Sequence, residues 1–425
     1  MTFLSELQAI PIVNDHTHIF GTGEVMDYEQ PGRYVADLTP QSLVAGLSNL
    51  NMNETSTMNL LDDPERLQNR WLELYRGRRT TFPARAMTRF FRQEFALEED
   101  EITLENAAAL IERMRSQVPV GTTAFYEYLG RLSNTEIWFC NHGNVARFDS
   151  YAPQTTRGLF RWVPYCFNDA ATLNATADKL GLDRPRTEDA VRQVMLAALR
   201  KVKELGAVAV KGGAFAYSLD RPFAPDVNSL RELPAAKERI DRGQGSKADS
   251  IVVADALAVI ASQAAGVVGL PMQIHVGLIW SASGPTRIPE IMELTPLFDA
   301  CRETTFVIFH GAYPRTDDLA HVAATVSNVR AEFNWVPFWA GLDFVRLIGK
   351  WIDMIPADRL LYGTDSGGFS AVVHDMITRA ALAEALGLRI QQGYLSSRTA
   401  LEVAANILRN NSIETYCLGL PLYRA

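Results

Sequence analysis

Seven histidines occur in the 425 residues. Four of them stand at or just past the ends of short apolar runs: His16 and His18 in VNDHTHIF, His275 in QIHVG and His310 in FHGAYP. Lys211 closes AVAVK, and Asp365 follows LLYGT. Neutral imidazole and carboxylate suit a borderline divalent ion such as Zn2+, and an Asp opposite three His completes a site with room for water. Side chains two apart on a strand point the same way, so His16 and His18 can reach one ion while Thr17 faces away. A bound divalent ion lowers the pKa of its water from about 15.7 toward 7, which makes hydroxide available at neutral pH. Asp365 is then placed to ligate the ion, to take the water's proton and to deliver it to a leaving group. His310 either polarises a scissile carbonyl beside one ion or ligates a second.

Such residues act together only if the chain brings their strand ends to one place. Eight runs rich in β-branched and aromatic residues read as strands: PIVNDH, EIWFCN, FRWVPYC, AVAVKGG, PMQIHVG, TFVIFHGAYP, VRAEFNW and LLYGTD. Helical patterns lie between most of them. One runs from Thr187 to Leu205, with Thr187 as N-cap and Glu188 and Asp189 complementing the helix dipole. Another runs from Ala248 to Ala264 and is expected to end before Gly266. Apolar runs covered on both faces and alternating with helices imply a parallel sheet with crossover helices, and eight such units imply an α/β (β/α)8 barrel. The barrel is expected over residues 1–20 and 121–425, its site at the C-terminal mouth. Residues 21–120 are too long for one connection and carry helical segments such as PARAMTRFFRQEF, so they are expected to form a helical insertion over the mouth or at a subunit contact. The polar stretch 237–249 is expected to be a second excursion.

Further residues flank the strand ends. Arg161, Tyr217, Trp280, Trp335 and Trp339 are placed to shape a substrate pocket, and aromatics there equally serve as core. His142 could enter the site or support it structurally. His321 lies in a helical pattern and is expected at the surface, and His374 is expected to be structural or to neighbour Asp365.

Composition narrows the partners. Lys and Arg total 41 against 49 Asp and Glu, a net charge of -8, and the basic residues are scattered, which argues against nucleic acid. No apolar stretch of membrane-spanning length and no targeting segment is read, so a soluble, cytoplasmic protein acting on a small molecule is expected, and a homo-oligomer is compatible with it. Cys140, Cys166, Cys301 and Cys417 show no paired spacing, so neither a disulfide framework nor a zinc knuckle is expected.

The set His16-Thr17-His18, Lys211, His275, His310 and Asp365 in YGTDSGG resembles the amidohydrolase superfamily of metal-dependent (β/α)8 barrels. GAVAVKGGAFAY, LPMQIHVG, TPLFDACRETTFVIFHGAYP and ALEVAANILRNNSIETYCL resemble its amidohydrolase-2 branch, which includes domains related to glutamine-synthetase-like and nodulin-like proteins. A looser similarity to uronate isomerases lies in the helical insertion and in GTDS. The resemblance covers roughly residues 9–20 and 130–418. It implies one or two divalent ions, Zn2+ foremost and Mn2+ as an alternative. It also implies that Lys211 can carry a carboxylate on its amine and bridge two ions; the other reading is a free ammonium that binds a substrate carboxylate. Where relatives show an arginine soon after the tyrosine, Tyr217 is here followed by Ser218, with Arg221 nearest, which weakens an inference to a γ-glutamyl substrate. Hydrolysis of an amide, lactone or other ester is the leading reading. Non-oxidative decarboxylation and uronate isomerisation on the same scaffold are the rivals. A purely structural metal module is disfavoured, because such a site is closed by four ligands from nearby positions.

Overall fold

The computed structural model describes residues 3–17, 72, 75–119, 122–142, 156–161, 169–212, 224–277 and 290–424. His18, Tyr217 and Trp280 lie outside the described residues, as do the side chains of His142 and Arg161.

All eight expected strands form. They are β1 (Ile12–Thr17), β2 (Thr135–His142), β3 (Thr156–Arg161), β4 (Ala207–Gly212), β5 (Met272–His275), β6 (Phe306–Phe309), β7 (Val329–Glu332) and β8 (Leu360–Leu361). Each pairs in parallel with its sequence neighbour, in the order β1 to β8. The ring closes through Asp15 N–H to Tyr362 O at 3.2 Å, Asp365 N–H to His16 O at 2.9 Å and a bridge between Thr17 and Ser366. This is a (β/α)8 barrel. β3 begins four residues ahead of the expected run, so Arg161 closes the strand rather than opening it.

Inward residues from alternate positions, Val13, Ile137, Phe139, Leu159, Ala209, Val307, Phe309 and Leu361, pack into one interior cluster. Ile413 and Tyr416, from the segment after the last barrel helix, join it. The helices pack against the outer faces of the strands in a larger cluster. Helix Glu188–Glu204 starts as expected, with Thr187 accepting from the Ala190 N–H.

Three expectations are corrected. The helix that leads into β5 runs Lys247–Val268, past Gly266, and Gly269 in the left-handed conformation caps it. Gly266 is instead a point of close approach: a Cβ there would lie 2.6 Å from Thr304 Oγ1 and 2.9 Å from the Glu303 carbonyl carbon. This same helix is long and apolar enough to cross a membrane by composition, although no such stretch was expected. Its Val253, Leu257, Ile260 and Ala264 are buried, so its apolarity belongs to the barrel's wall. The stretch 237–249 is no excursion: helix Ser229–Asp241 ends there and the next begins after a short turn, with Ser246 and Asp249 forming a capping box.

The described part of 21–120 holds helices Phe82–Glu94 and Leu104–Gln117. Phe90, Phe91, Phe95 and Leu110 pack with Phe125 and Phe369 in a cluster of their own. Phe369 lies at the start of helix Gly368–Gln391, which leaves the end of β8, so these helices are anchored to the barrel beside its C-terminal rim.

Candidate metal centre at the mouth of the barrel

The ends of β1, β5, β6 and β8 bring His16, His275, His310 and Asp365 together. His16 Nε2 lies 3.1 Å from Asp365 Oδ1, and His310 Nε2 lies 3.4 Å from Asp365 Oδ2 and 3.0 Å from His275 Nδ1. All four are buried. Burial and then the neighbouring His275 push His310 well below the usual histidine range, against the pull of Asp365, so its imidazole is neutral.

Two features of the backbone aim these groups. His310, Trp335 and Asp365 all have positive φ, at 60°, 65° and 48°, which is a costly conformation for residues with a Cβ and one that clusters at functional sites. Each is held by a buried hydrogen bond. The His310 N–H donates to Asn334 Oδ1 at 3.0 Å, the Trp335 N–H to His374 Nε2 at 3.2 Å, and the Asp365 N–H to His16 O. The second feature is a register shift in β1: Asn14 pairs with Trp138 but Thr17 with Cys140. Three steps on β1 oppose two on β2, a bulge that breaks strict alternation. As a result Asp15 and His16, though adjacent, both reach interior partners, Tyr416 and Gln273 respectively.

Donors sharing one tetrahedral ion at about 2.0–2.1 Å stand about 3.3 Å apart. The three contacts above fall near that separation, and the donors, imidazole nitrogens and a carboxylate, have the chemistry for a divalent ion. Among the described residues the contacts form an open chain, and no group of three closes around one point.

The other expected residues are distributed differently. Lys211 is on the same floor of the site, with Nζ 3.6 Å from the centroid of the Phe309 ring. Trp335, expected against a substrate, is 5% exposed, and its indole N–H donates to Asp365 O at 2.9 Å, so it props the carboxylate's backbone. Trp339 instead stands beside His310, with ring centroids 5.7 Å apart. The β2 backbone ends at His142 and the β3 backbone at Arg161. His321 is exposed on helix Thr316–Thr325.

Sequence reading missed a lower polar layer. Asp15 and Glu332 are buried beside one another: a Cβ on Gly363 would lie 2.5 Å from Asp15 Oδ1 and 3.1 Å from Glu332 Oε1. Burial raises both carboxyls well above the usual range, and for Glu332 the charges of Asp15 and Asp365 add to it. Glu332 accepts from the Asn334 N–H, and Asn334 in turn positions His310. The available signal was spacing, since Glu332 and Asn334 stand two apart at the end of β7, as Gln273 and His275 do on β5.

His374 is fully buried, and burial pushes it down to about 3. Its Nε2 accepts from Trp335, so Nδ1 carries the proton toward Tyr362 Oη at 3.1 Å, and the Tyr362 hydroxyl donates to Asp375. Burial raises Asp375 to about 8, against the pull of Arg379. With the folded value above the unfolded one of about 3.9, the protonated form favours the fold. That contribution is complete below about pH 4 and is lost as pH rises through about 8. Asp375→Asn is therefore expected to melt increasingly above wild type between pH 4 and 9 in thermal scans. A melting difference that does not change over this range would remove the assignment.

Barrel and cluster together define an α/β barrel with a buried polar centre at the C-terminal mouth, the end at which active sites of this fold are built. The family described as amidohydrolase matches residues 187–416, more than half of the chain, and the protein belongs to that family. A stretch of 157 residues is 26% identical to protein fluG of Emericella nidulans, covering 35% of this chain and 18% of that protein. The chain thus matches less than a fifth of that relative's length. Among solved structures it is similar to a uronate isomerase from Thermotoga maritima, with TM-score 0.70, 14% identity and coverage of 97% of this chain and 96% of that one. It is similar to a glucuronate isomerase from Caulobacter crescentus, with TM-score 0.70, 16% identity and coverage of 99% and 94%. It is also similar to a protein described as a proposed metal-dependent hydrolase from Lactobacillus casei, with TM-score 0.64, 13% identity and 98% coverage of both chains. At such identities these likenesses are of fold.

Proposed function

We propose that this protein is a cytoplasmic, metal-dependent hydrolase of an amide, or of a lactone or other ester, in a small molecule. The observation that supports the reading is that His16, Asp365, His310 and His275, from the ends of four separate strands, stand in one buried chain of contacts at the mouth. His16, His18, His275 and Asp365 would hold the ion, with zinc the best match to the donor set. A divalent ion there supplies Lewis acidity and lowers the pKa of water toward neutrality.

The chain's own groups do the rest. Asp365 accepts the proton of the attacking water and later returns it to the leaving group. His310, kept neutral by burial, polarises the scissile carbonyl. The Lys211 ammonium stands over the Phe309 ring face, which attracts a cation and would repel a carboxylated amine. This supports the ammonium reading, in which Lys211 holds an anionic group of the substrate beside a single ion.

The test is a screen of purified, metal-replete protein against amide, lactone and aromatic carboxylic acid libraries, with uronates included. A new carboxylate paired with an amine or alcohol is the expected product. Release of CO2, or interconversion of aldose and ketose without uptake of water, would overturn hydrolysis.

A further inference from the structure

Gln273 is the residue two before His275 on β5, and it is fully buried. Its side chain meets three groups. Its Nε2 lies 2.9 Å from the backbone carbonyl of Asp15 and 2.9 Å from Tyr416 Oη, and its Oε1 lies 3.0 Å from His16 Nδ1. The amide could in principle sit either way round. The Asp15 carbonyl settles it: a peptide oxygen only accepts, so the nitrogen must face it. The second N–H then goes to the Tyr416 oxygen, which spends its own proton on Asp15 Oδ2 at 3.0 Å. Every donor in this ring has one acceptor, and flipping the amide would set two oxygens against each other at 2.9 Å in a dry interior, a cost of the size of a lost buried hydrogen bond.

With the amide fixed, Oε1 must receive a proton from His16 Nδ1. We infer that Gln273 is a positioning residue that locks His16 in the state protonated on Nδ1, leaving Nε2 as the nitrogen that faces Asp365. The step rests on the reading of His16 as an ion ligand for its consequence, but the proton assignment stands on the hydrogen-bond geometry alone. A ligating imidazole needs a lone pair on the nitrogen that faces the ion, and a carboxamide behind the other nitrogen supplies that by choosing the tautomer. Tyr416 contributes less, because the Asp15 carbonyl pins the amide even without it.

The test combines a spectroscopic and a binding measurement. In metal-free wild type labelled with 15N-histidine, His16 Nδ1 is expected to be protonated. A neutral His16 with its proton on Nε2 would overturn the inference without the need for any variant. Gln273→Leu, close in size and unable to accept, is expected to release the tautomer and to weaken zinc binding by about 10–100-fold in competition with a chelator. Tyr416→Phe is expected to keep the Nδ1 proton and to bind zinc within a few-fold of wild type. If Gln273→Leu fails to fold by circular dichroism, Gln273→Met takes its place. Unchanged zinc affinity in a folded variant overturns the inference. Failure of wild type to bind zinc at all, with His16 Nδ1 protonated, would sink the metal reading and leave the tautomer assignment standing.

Discussion

Asp365→Asn should lower turnover by a factor on the order of 10² or more while retaining at least part of the bound metal. Two hydrogen bonds to the backbone hold this residue independently of its side chain: its N–H donates to His16 O, and its carbonyl accepts from the Trp335 indole. The asparagine therefore stays where the aspartate was, with one oxygen still available as a ligand and the basic site gone. Metal content by elemental analysis and turnover on a substrate from the screen are measured on the same preparation. Near-normal turnover in a reaction that consumes water would remove Asp365 from the role of base. Activity that persists on a decarboxylation substrate would move the protein to the rival class, since breaking a carbon–carbon bond need not consume water.

Replacing both His16 and His18 by Ala is expected to remove metal and activity together. His16 is fully buried with Nε2 toward Asp365, so under the proposed function its loss removes one of the donors that would hold the ion. Metal content is expected to fall by at least about tenfold. Because an ion that binds only the folded state stabilises it, chelation should lower the melting temperature of wild type and leave that of the double variant unmoved. Equal metal content in the two proteins would refute the assignment. The contrast with Asp365→Asn is what gives the pair its force: in one variant metal and chemistry part company, and in the other they vanish together.

Much of the barrel was legible because a parallel sheet covered on both faces leaves nearly unbroken apolar runs, and short strands such as β6 and β8 end where those runs end. The ligand candidates were legible for the same reason, since chemistry at a strand end follows directly after the run. What failed was whatever depends on a partner distant in sequence. Gly266 reads as a helix stop and is in fact an opening for Thr304. The apolar face of Lys247–Val268 is read correctly only once its packing is seen. The alternation rule put His16 and Thr17 on opposite sides, but the β1 bulge also turns Asp15 inward. Gln273 sits inside QIHVG without a role that the motif itself discloses, and Glu332 and Asn334 lie outside any motif; the roles of all three exist only through the neighbours that strand register gives them.

Tyr416 reaches Asp15 across 401 residues of chain, and with Ile413 it fills the inner floor of the barrel. During synthesis, at roughly 5–20 residues per second, β1 leaves the ribosome about 20–80 s before residue 416 is made. For that interval a strand carrying a carboxylate meant for a dry interior has neither the phenol that will bond it nor β8 to close against. The barrel therefore cannot mature from its beginning onward; the first strand must wait for the last, and the polar centre at the mouth is assembled late, as a property of the finished ring rather than of any segment that precedes it.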